Sequence, residues 1–406
     1  VGEGPARGGE GRGVLTGSSA TGAAKSASAT GPSAESASAE SASAESASAE
    51  SASAERASAE RASAESASVG RVSVGSVSVE VVDPRHDPEP DGWRDLAASA
   101  RRRAVWSYDL LRTAAWTSRH PVLLAIAREA GRPVAAVSAV LAGPRLRSYA
   151  PSASVRAPRL ALPTVAVPGS SAERGWFFAP GVDAADQRAL LARCARRLRR
   201  AAGAAAPGVL WLRAEADDRA HVPGVVRVSR PLNPLAQLAT PWSDLDGWLA
   251  SLSKSRRVDL RRQRRALSFL DCRVGPARDL VEGREVAELL WRNEAKYEGG
   301  HLPSTPLALP YVEALTAHPD VVAVAYRDAA EHLVGIALLL DHPTWPLYWR
   351  WGAEPVRHLY FDSYARLLEW AITNGKRGVI LGKGKSDLKA ALGAELVPSY
   401  AVAAGP

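Results

Sequence analysis

The chain has 406 residues, 51 basic against 43 acidic side chains, a net charge of +8 and two cysteines. No 18-residue apolar run is present to span a membrane, and Cys194 and Cys272 lack the paired spacing of a disulfide framework or a zinc site. A cytoplasmic protein without stable membrane insertion is expected, and the basic balance favours an anionic partner: nucleic acid, a CoA-like nucleotide or a phosphorylated precursor.

From about Ser26 to Val82 a five-residue unit recurs, "ESASA" with variants "ERASA" and "VGSVS". Almost no large apolar side chain is available there to offset the entropy of ordering, so residues 1 to about 90 are expected to be disordered. The chain opens on Val, contains no Met and has only seven lysines among its 51 basic residues. That bias belongs to a GC-rich coding sequence with GTG starts, and it places the expected start downstream, for example near Val69 or Val79. The remaining ~315 residues suit two modest domains.

The first domain, expected over 92–235, opens with the helical "DGWRDLAASARRRAVWSYDLLRTAAW". Two apolar runs around Gly131 read as a β-hairpin with strands near 122–128 and 133–141. An irregular Pro- and Ser-rich stretch follows to about Arg174. "DAADQRALLARCARRLRRAAGA" is an amphipathic helix with Leu190, Leu191, Cys194 and Leu198 on one face, Asp183 or Asp186 at its start, and Gly203 and Pro207 at its end. "GVLWLRA" is then a buried strand.

The second domain, expected over 236–402, repeats the order of hairpin, helix and strand. "SDLDGWLASLSKSRRVDLRRQRRAL" is helical with a break at Ser253–Ser255, and "REVAELLWRNEAKY" is a second helix. "DVVAVAYRDAAEHLVGIALLLD" is the matching hairpin. "PLYWRWGA", "FDSYARLLEWAITNG" and "RGVILGKG" read as strand, helix and strand, and "SDLKAALG" and "ELVPSYAVA" as a short helix and a last strand. The shared order predicts a structural duplication without sequence repetition.

Leu245, Leu249 and Leu252, continued by Leu260 and Leu267, give the broken helix a docking stripe. Lys254, Arg256, Arg257, Arg261 and Arg264 then face outward, either as a footprint for tRNA or another RNA or as a solvated face. Six of the seven lysines (Lys254, Lys296, Lys376, Lys383, Lys385 and Lys389) lie in this second domain. In a chain that otherwise uses Arg, a retained Lys points to a need for a compact, rotatable donor. In "LYWRWG" simple alternation puts Leu347, Trp349 and Trp351 on a core face and Tyr348 and Arg350 towards a groove, where the guanidinium can grip a carboxylate or phosphate.

"GVILGKGKSDLKAALG" (Gly378 to Gly393) looks at first like a phosphate loop. A Walker loop needs GxxxxGK[ST], and the residue five before Gly384 is Val379, so the spacing fails by one place.

The second half as a whole, about 236–402, resembles the Fem-like branch of the GNAT acyltransferase superfamily. The likeness rests on "WSDLDGWLASLSKSRRVDLRRQRRAL", "LVGIALLL", "LYWRWGA" and "YFDSYARLLEWAITNGKRGVILGKGKSDLKAALG", in that order. The closing "LKAALG" is similar to that branch's F-K-x-x-F-G, with Lys389 on the lysine, Gly393 on the glycine and Leu388 and Leu392 in place of the aromatics. The resemblance implies an α/β fold of two tandem GNAT-like domains, with mixed central sheets flanked by helices, after a disordered N-terminal tail. It implies acyl transfer to an amine without a resident cofactor or metal. The donor would be an aminoacyl-tRNA, and the acceptor a small-molecule or peptide amine in peptidoglycan or natural-product synthesis. An acyl-CoA donor is the alternative, although "GAEPVRHLYFDSY" lacks the R/Q-x-x-G-x-G/A loop that holds the CoA pyrophosphate. A further alternative is a non-catalytic pair that binds RNA or a glycan. Within the resemblance Lys389 stabilises carbonyl or phosphate charge, Lys383 and Lys385 hold phosphate with Arg350 and Tyr348 beside them, and the candidate bases are Asp362, Tyr364, His301 and Glu294.

Overall fold

The computed structural model describes residues 76–118, 120–142, 162–170, 172–202, 208–295 and 307–405, all within one compact unit, Ser66–Pro406. The first half contributes β1 (Ser78–Val82), α1 (Trp93–Ser99), α2 (Tyr108–Thr117), β2 (Val122–Glu129), β3 (Arg132–Ala142), β4 (Leu162–Val165), β5 (Trp176–Phe178), α3 (Ala184–Ala202), β6 (Val209–Ala214) and β7 (Arg227–Ala239). The second half contributes α4 (Leu245–Ser251), α5 (Lys254–Ala266), β8 (Asp271–Pro276), α6 (Gly283–Ala295), α7 (Leu309–Thr316), β9 (Val321–Arg327), β10 (Leu333–Leu340), β11 (Leu347–Ala353), α8 (Leu359–Thr373), β12 (Gly378–Gly382), α9 (Ser386–Ala390) and β13 (Glu395–Ala404).

The strands form one sheet in the order β1-β2-β3-β4-β6-β13-β7-β12-β11-β10-β9-β8, with β5 paired to β3. Each half carries an antiparallel hairpin followed by a parallel pair, β4 with β6 and β11 with β12. The halves join by exchange. β7 leaves the first half to pair with β12, and β13 leaves the second to pair with β6 and β7. The expected boundary at 235/236 falls inside β7, and strand β1 lies where residues up to about 90 were expected to be disordered.

The hairpin strands are buried on both faces and so read as near-continuous apolar runs. In β10, Ile336, Leu338 and Leu340 enter a core shared with Trp93, Trp106, Leu111 and Val312, which packs α1, α2, α6 and α7 on one face of the sheet. Ala337 and Leu339 enter the opposite core, under α4, α5 and α8. In the first half α3 covers that opposite face with Leu190, Leu191, Cys194 and Leu198, and Asp183 Oδ1 caps it by accepting from Asp186 N at 2.9 Å. Burial pushes the Cys194 thiol up to about 12, as expected of a packing residue.

Candidate active site

β11 and β12 meet at a single parallel ladder position, Leu347 opposite Ile380. Beyond it β11 stays with β10 and β12 with β7, so the parallel pair splays. Opposite β10, Arg350 faces Leu338 and Tyr348 faces Leu339, which leaves Trp349 as the extra residue of a bulge. The bulge resets the alternation. Trp349 joins the α6 side, Arg350 bonds Glu294 on α6, and Trp351 turns to the α8 side against Tyr360. The expectation that Tyr348 and Arg350 share a face, with both tryptophans in the core, is therefore corrected by one inserted residue. A cleft of about 400 Å³ opens at the splay, lined by both tryptophans with Asn293, Tyr360 and Ala172. Gly352 lets α6 close against β11, because a Cβ there would stand 2.7 Å from the carbonyl carbon of Leu289.

The other wall is the turn from β12 into α9, where Gly382 and Gly384 have positive φ and Lys385 joins them at +50°. Lys389, on α9, is 2% exposed. Its Nζ donates to the carbonyl oxygens of Gly382 and Lys383, both at 3.1 Å. Burial, and then the neighbouring Lys385, lower its ammonium to about 8. Lys383 is also lowered, first by desolvation and then by the guanidiniums of Arg213 and Arg350. Lys385 Nζ lies 4.9 Å from the centre of the Tyr360 ring. Arg350 donates to Glu294 Oε1 at 3.0 Å and to the Gly169 carbonyl at 3.3 Å, which ties the cleft to the first half. Glu294 is raised by burial, an effect Arg350 opposes.

The structure thus brings Lys383, Lys385, Lys389, Arg350, Tyr348 and Glu294 to one cleft. Tyr348 offers little beyond its ring, since its hydroxyl pairs with Ser363 Oγ at 3.3 Å. Two expected catalytic residues lie elsewhere. Asp362 is 3% exposed, and its Oδ2 accepts from Tyr326 OH at 2.9 Å and from Arg366 Nε at 3.3 Å, away from the cleft. Tyr364 is fully buried, stacked on Tyr348, and reaches the cleft only by donating to Tyr360 OH at 2.6 Å. Burial raises its phenol far above the usual range, which disfavours a proton-transfer role. His301 and Lys296 lie outside the described residues. Arg213, whose position at the end of β6 left no pattern in the sequence, donates to the Asn233 carbonyl and Ser399 Oγ, both at 2.8 Å.

The basic helix α5 starts beside this site. A groove of about 430 Å³ runs between Ser253, Ser255, Arg256 and Asp259 on one side and Ala390, Ala391 and Gly393, behind Lys389, on the other. Leu249, Leu252, Leu260 and Leu267 are buried as the stripe requires. Arg261 pairs with Asp246 and Arg264 with Glu369, whereas Lys254, Arg256 and Arg257 have no carboxylate partner among the described residues. The cationic end of α5 is therefore its first turn, next to α9.

Two hairpin-plus-parallel-pair halves exchanging their last strands, with a bulged and splayed pair in the second, define an α/β fold of two tandem GNAT-like halves. FemX is similar over 79% of this chain and 96% of its own, with 10% identity and a TM-score of 0.52. A conserved protein of unknown function from Bacteroides thetaiotaomicron is similar over 81% of this chain and 100% of its own, with 11% identity and a TM-score of 0.52. No protein-family model matches the sequence, and no curated protein matches it. At these identities the likeness is one of fold.

Proposed function

We propose that the protein is an N-acyltransferase that moves an aminoacyl group from aminoacyl-tRNA to an amine of a small molecule or peptide, such as a peptidoglycan precursor or natural-product intermediate. The observation that carries the reading is the convergence of Lys383, Lys385, Lys389 and Arg350 on one aromatic cleft at the splayed strands. In this reading Lys383, Lys385 and Arg350 hold the terminal phosphates of the tRNA, and Trp351 and Tyr360 offer faces on which its last base stacks. Lys389, fixed through two carbonyls, directs a remaining N–H at the ester carbonyl and stabilises the oxyanion as the acceptor amine adds. The bond from the carbonyl carbon to the ribose oxygen then breaks, and that oxygen leaves as the hydroxyl, taking up the proton given off by the acceptor nitrogen. The Lys389 ammonium, lowered to about 8, keeps its own proton at neutral pH, as that role demands. An acyl-CoA donor would bring phosphates to the same lysines, but it would leave the arginines beside α9 unused. Two observations favour the RNA: the first turn of α5 lies along the groove that backs Lys389, and its cations there have no carboxylate partners among the described residues.

Filter binding tests the reading. Charged tRNA should bind with a steep salt dependence. Lys383→Ala with Lys385→Ala should weaken it by about tenfold or more, as expected for lost phosphate contacts. Binding that is indifferent to both salt and these lysines would remove the RNA donor.

A further inference from the structure

Among the described residues lining the cleft, Glu294 is the sole carboxylate in a ring of cations. One of its oxygens, Oε1, is committed to Arg350. The other, Oε2, is shielded from solvent and has no hydrogen-bond partner among the described residues. The indole Nε1–H of Trp349, on the neighbouring bulge, is shielded and unpartnered in the same way. Buried polar atoms are seldom left unpaired, and such exceptions call for an explanation such as a ligand. The two orphans are complementary. A carboxylate oxygen only accepts, and an indole nitrogen only donates. What satisfies both is a group that carries a cationic N–H beside an acceptor oxygen.

We propose that Glu294 Oε2 and Trp349 Nε1 form a subsite for a primary ammonium next to a carbonyl, and that its occupant is the α-aminoacyl group of the donor. Glu294 then determines specificity: it selects an aminoacyl over a plain acyl donor. The proposal rests on the acyl-transfer reading above and deepens it. Lys383, Lys385, Lys389 and Arg350 would by themselves repel an ammonium, so the cleft needs a carboxylate to admit one. Arg350 holds that carboxylate in place through the other oxygen. Burial raises Glu294's affinity for protons, and an arriving cation relieves the same unfavourable charge. No bond is made or broken in this recognition step.

The test uses 3′-aminoacylamino-3′-deoxyadenosines, amide-linked mimics of a charged tRNA end that are not consumed. One is made per amino acid, and each is titrated calorimetrically against its deamino counterpart. The expected result is that the tightest mimic binds at least about tenfold more strongly than its deamino form, the scale of one charge-assisted hydrogen bond. Glu294→Gln, which keeps shape and a hydrogen-bond acceptor, should bring that ratio to about one, read within the variant itself so that any change in overall affinity cancels. Trp349→Phe should weaken both forms and keep the ratio. Equal affinity of aminated and deaminated mimics in the wild-type protein overturns the proposal without recourse to any variant, as does the absence of binding by any mimic. A preference that survives Glu294→Gln overturns it too. Transfer from charged tRNA without an ammonium preference sinks this subsite alone. An ammonium preference without transfer sinks the acyl-transfer reading and leaves the subsite standing.

Discussion

Replacing Lys389 with Met separates its contribution to stability from its contribution to chemistry. Lowering this buried ammonium to about 8 from 10.5 means that keeping it charged at neutral pH costs the fold about 3 kcal/mol, at 1.36 kcal/mol per unit. Methionine removes that cost and nearly matches the volume. It also strips the Gly382 and Lys383 carbonyls of their donor, at roughly 1–3 kcal/mol for each buried acceptor left unsatisfied. The two effects oppose each other, so stability should end between a gain of about 1 kcal/mol and a loss of about 3 kcal/mol, a Tm shift of at most several degrees for a chain of this size. Loss of a donor aimed at the developing oxyanion should lower turnover by roughly 10²–10³-fold. Calorimetry and transfer of a radiolabelled aminoacyl group from charged tRNA would be run on the same preparation. Turnover within about threefold of wild type, a difference below 1 kcal/mol, would refute the role given to Lys389.

The same residue sets a pH dependence. Between pH 8 and 10.5 the unfolded chain holds a proton that the folded lysine has lost. Wild-type stability should therefore rise with pH across that window relative to Lys389→Met, as urea titrations at pH 8 and 10 would show. His342 is lowered to about 4, mainly by burial, and its Nδ1 accepts from Thr344 N and Trp345 N. The unfolded chain takes up a proton below about 6.5 that the folded imidazole refuses down to about 4, so stability should fall on acidification through that range. His342→Asn should flatten the fall. Gly352→Ala should destabilise by about 1–3 kcal/mol or more, since its Cβ meets helix backbone that cannot yield, and denaturant midpoints will report it. Lys254→Ala with Arg256→Ala should weaken tRNA binding uniformly across sequences and reduce the salt slope by about 2.

The hairpins, α3, α5 with its break, and α8 were legible because apolar spacing and caps decide them locally. β7 was not. Pro231 and Pro234 argue against a strand, and its first residues are exposed, so its place is fixed by β13 arriving from the far end of the chain. β1 was hidden because it lies at the end of the Ser/Ala/Val repeat, although Val77 and Val79 alternate as a half-buried strand should and could have signalled it. At the site, the "LKAALG" motif led to Lys389, and the Gly/Lys loop led to Lys383 and Lys385. The bulge at Trp349 was invisible because one strand's alternation cannot report a register set by its neighbour. Asp362 stood in the sequence only as one of several candidate bases. Its burial against Tyr326 depends on β9, more than thirty residues away, and no local pattern announces it.

The central claim is that the cationic cleft accepts an aminoacyl group from tRNA and delivers it to an amine. The most direct measurement follows radiolabel from a mixed pool of charged tRNAs, and in parallel from labelled acyl-CoA, into an extract of small amines and peptidoglycan precursors. The expected result is a labelled amide from the charged tRNA that requires Lys389. Labelled product from acyl-CoA alone, with every charged tRNA left intact, would contradict it.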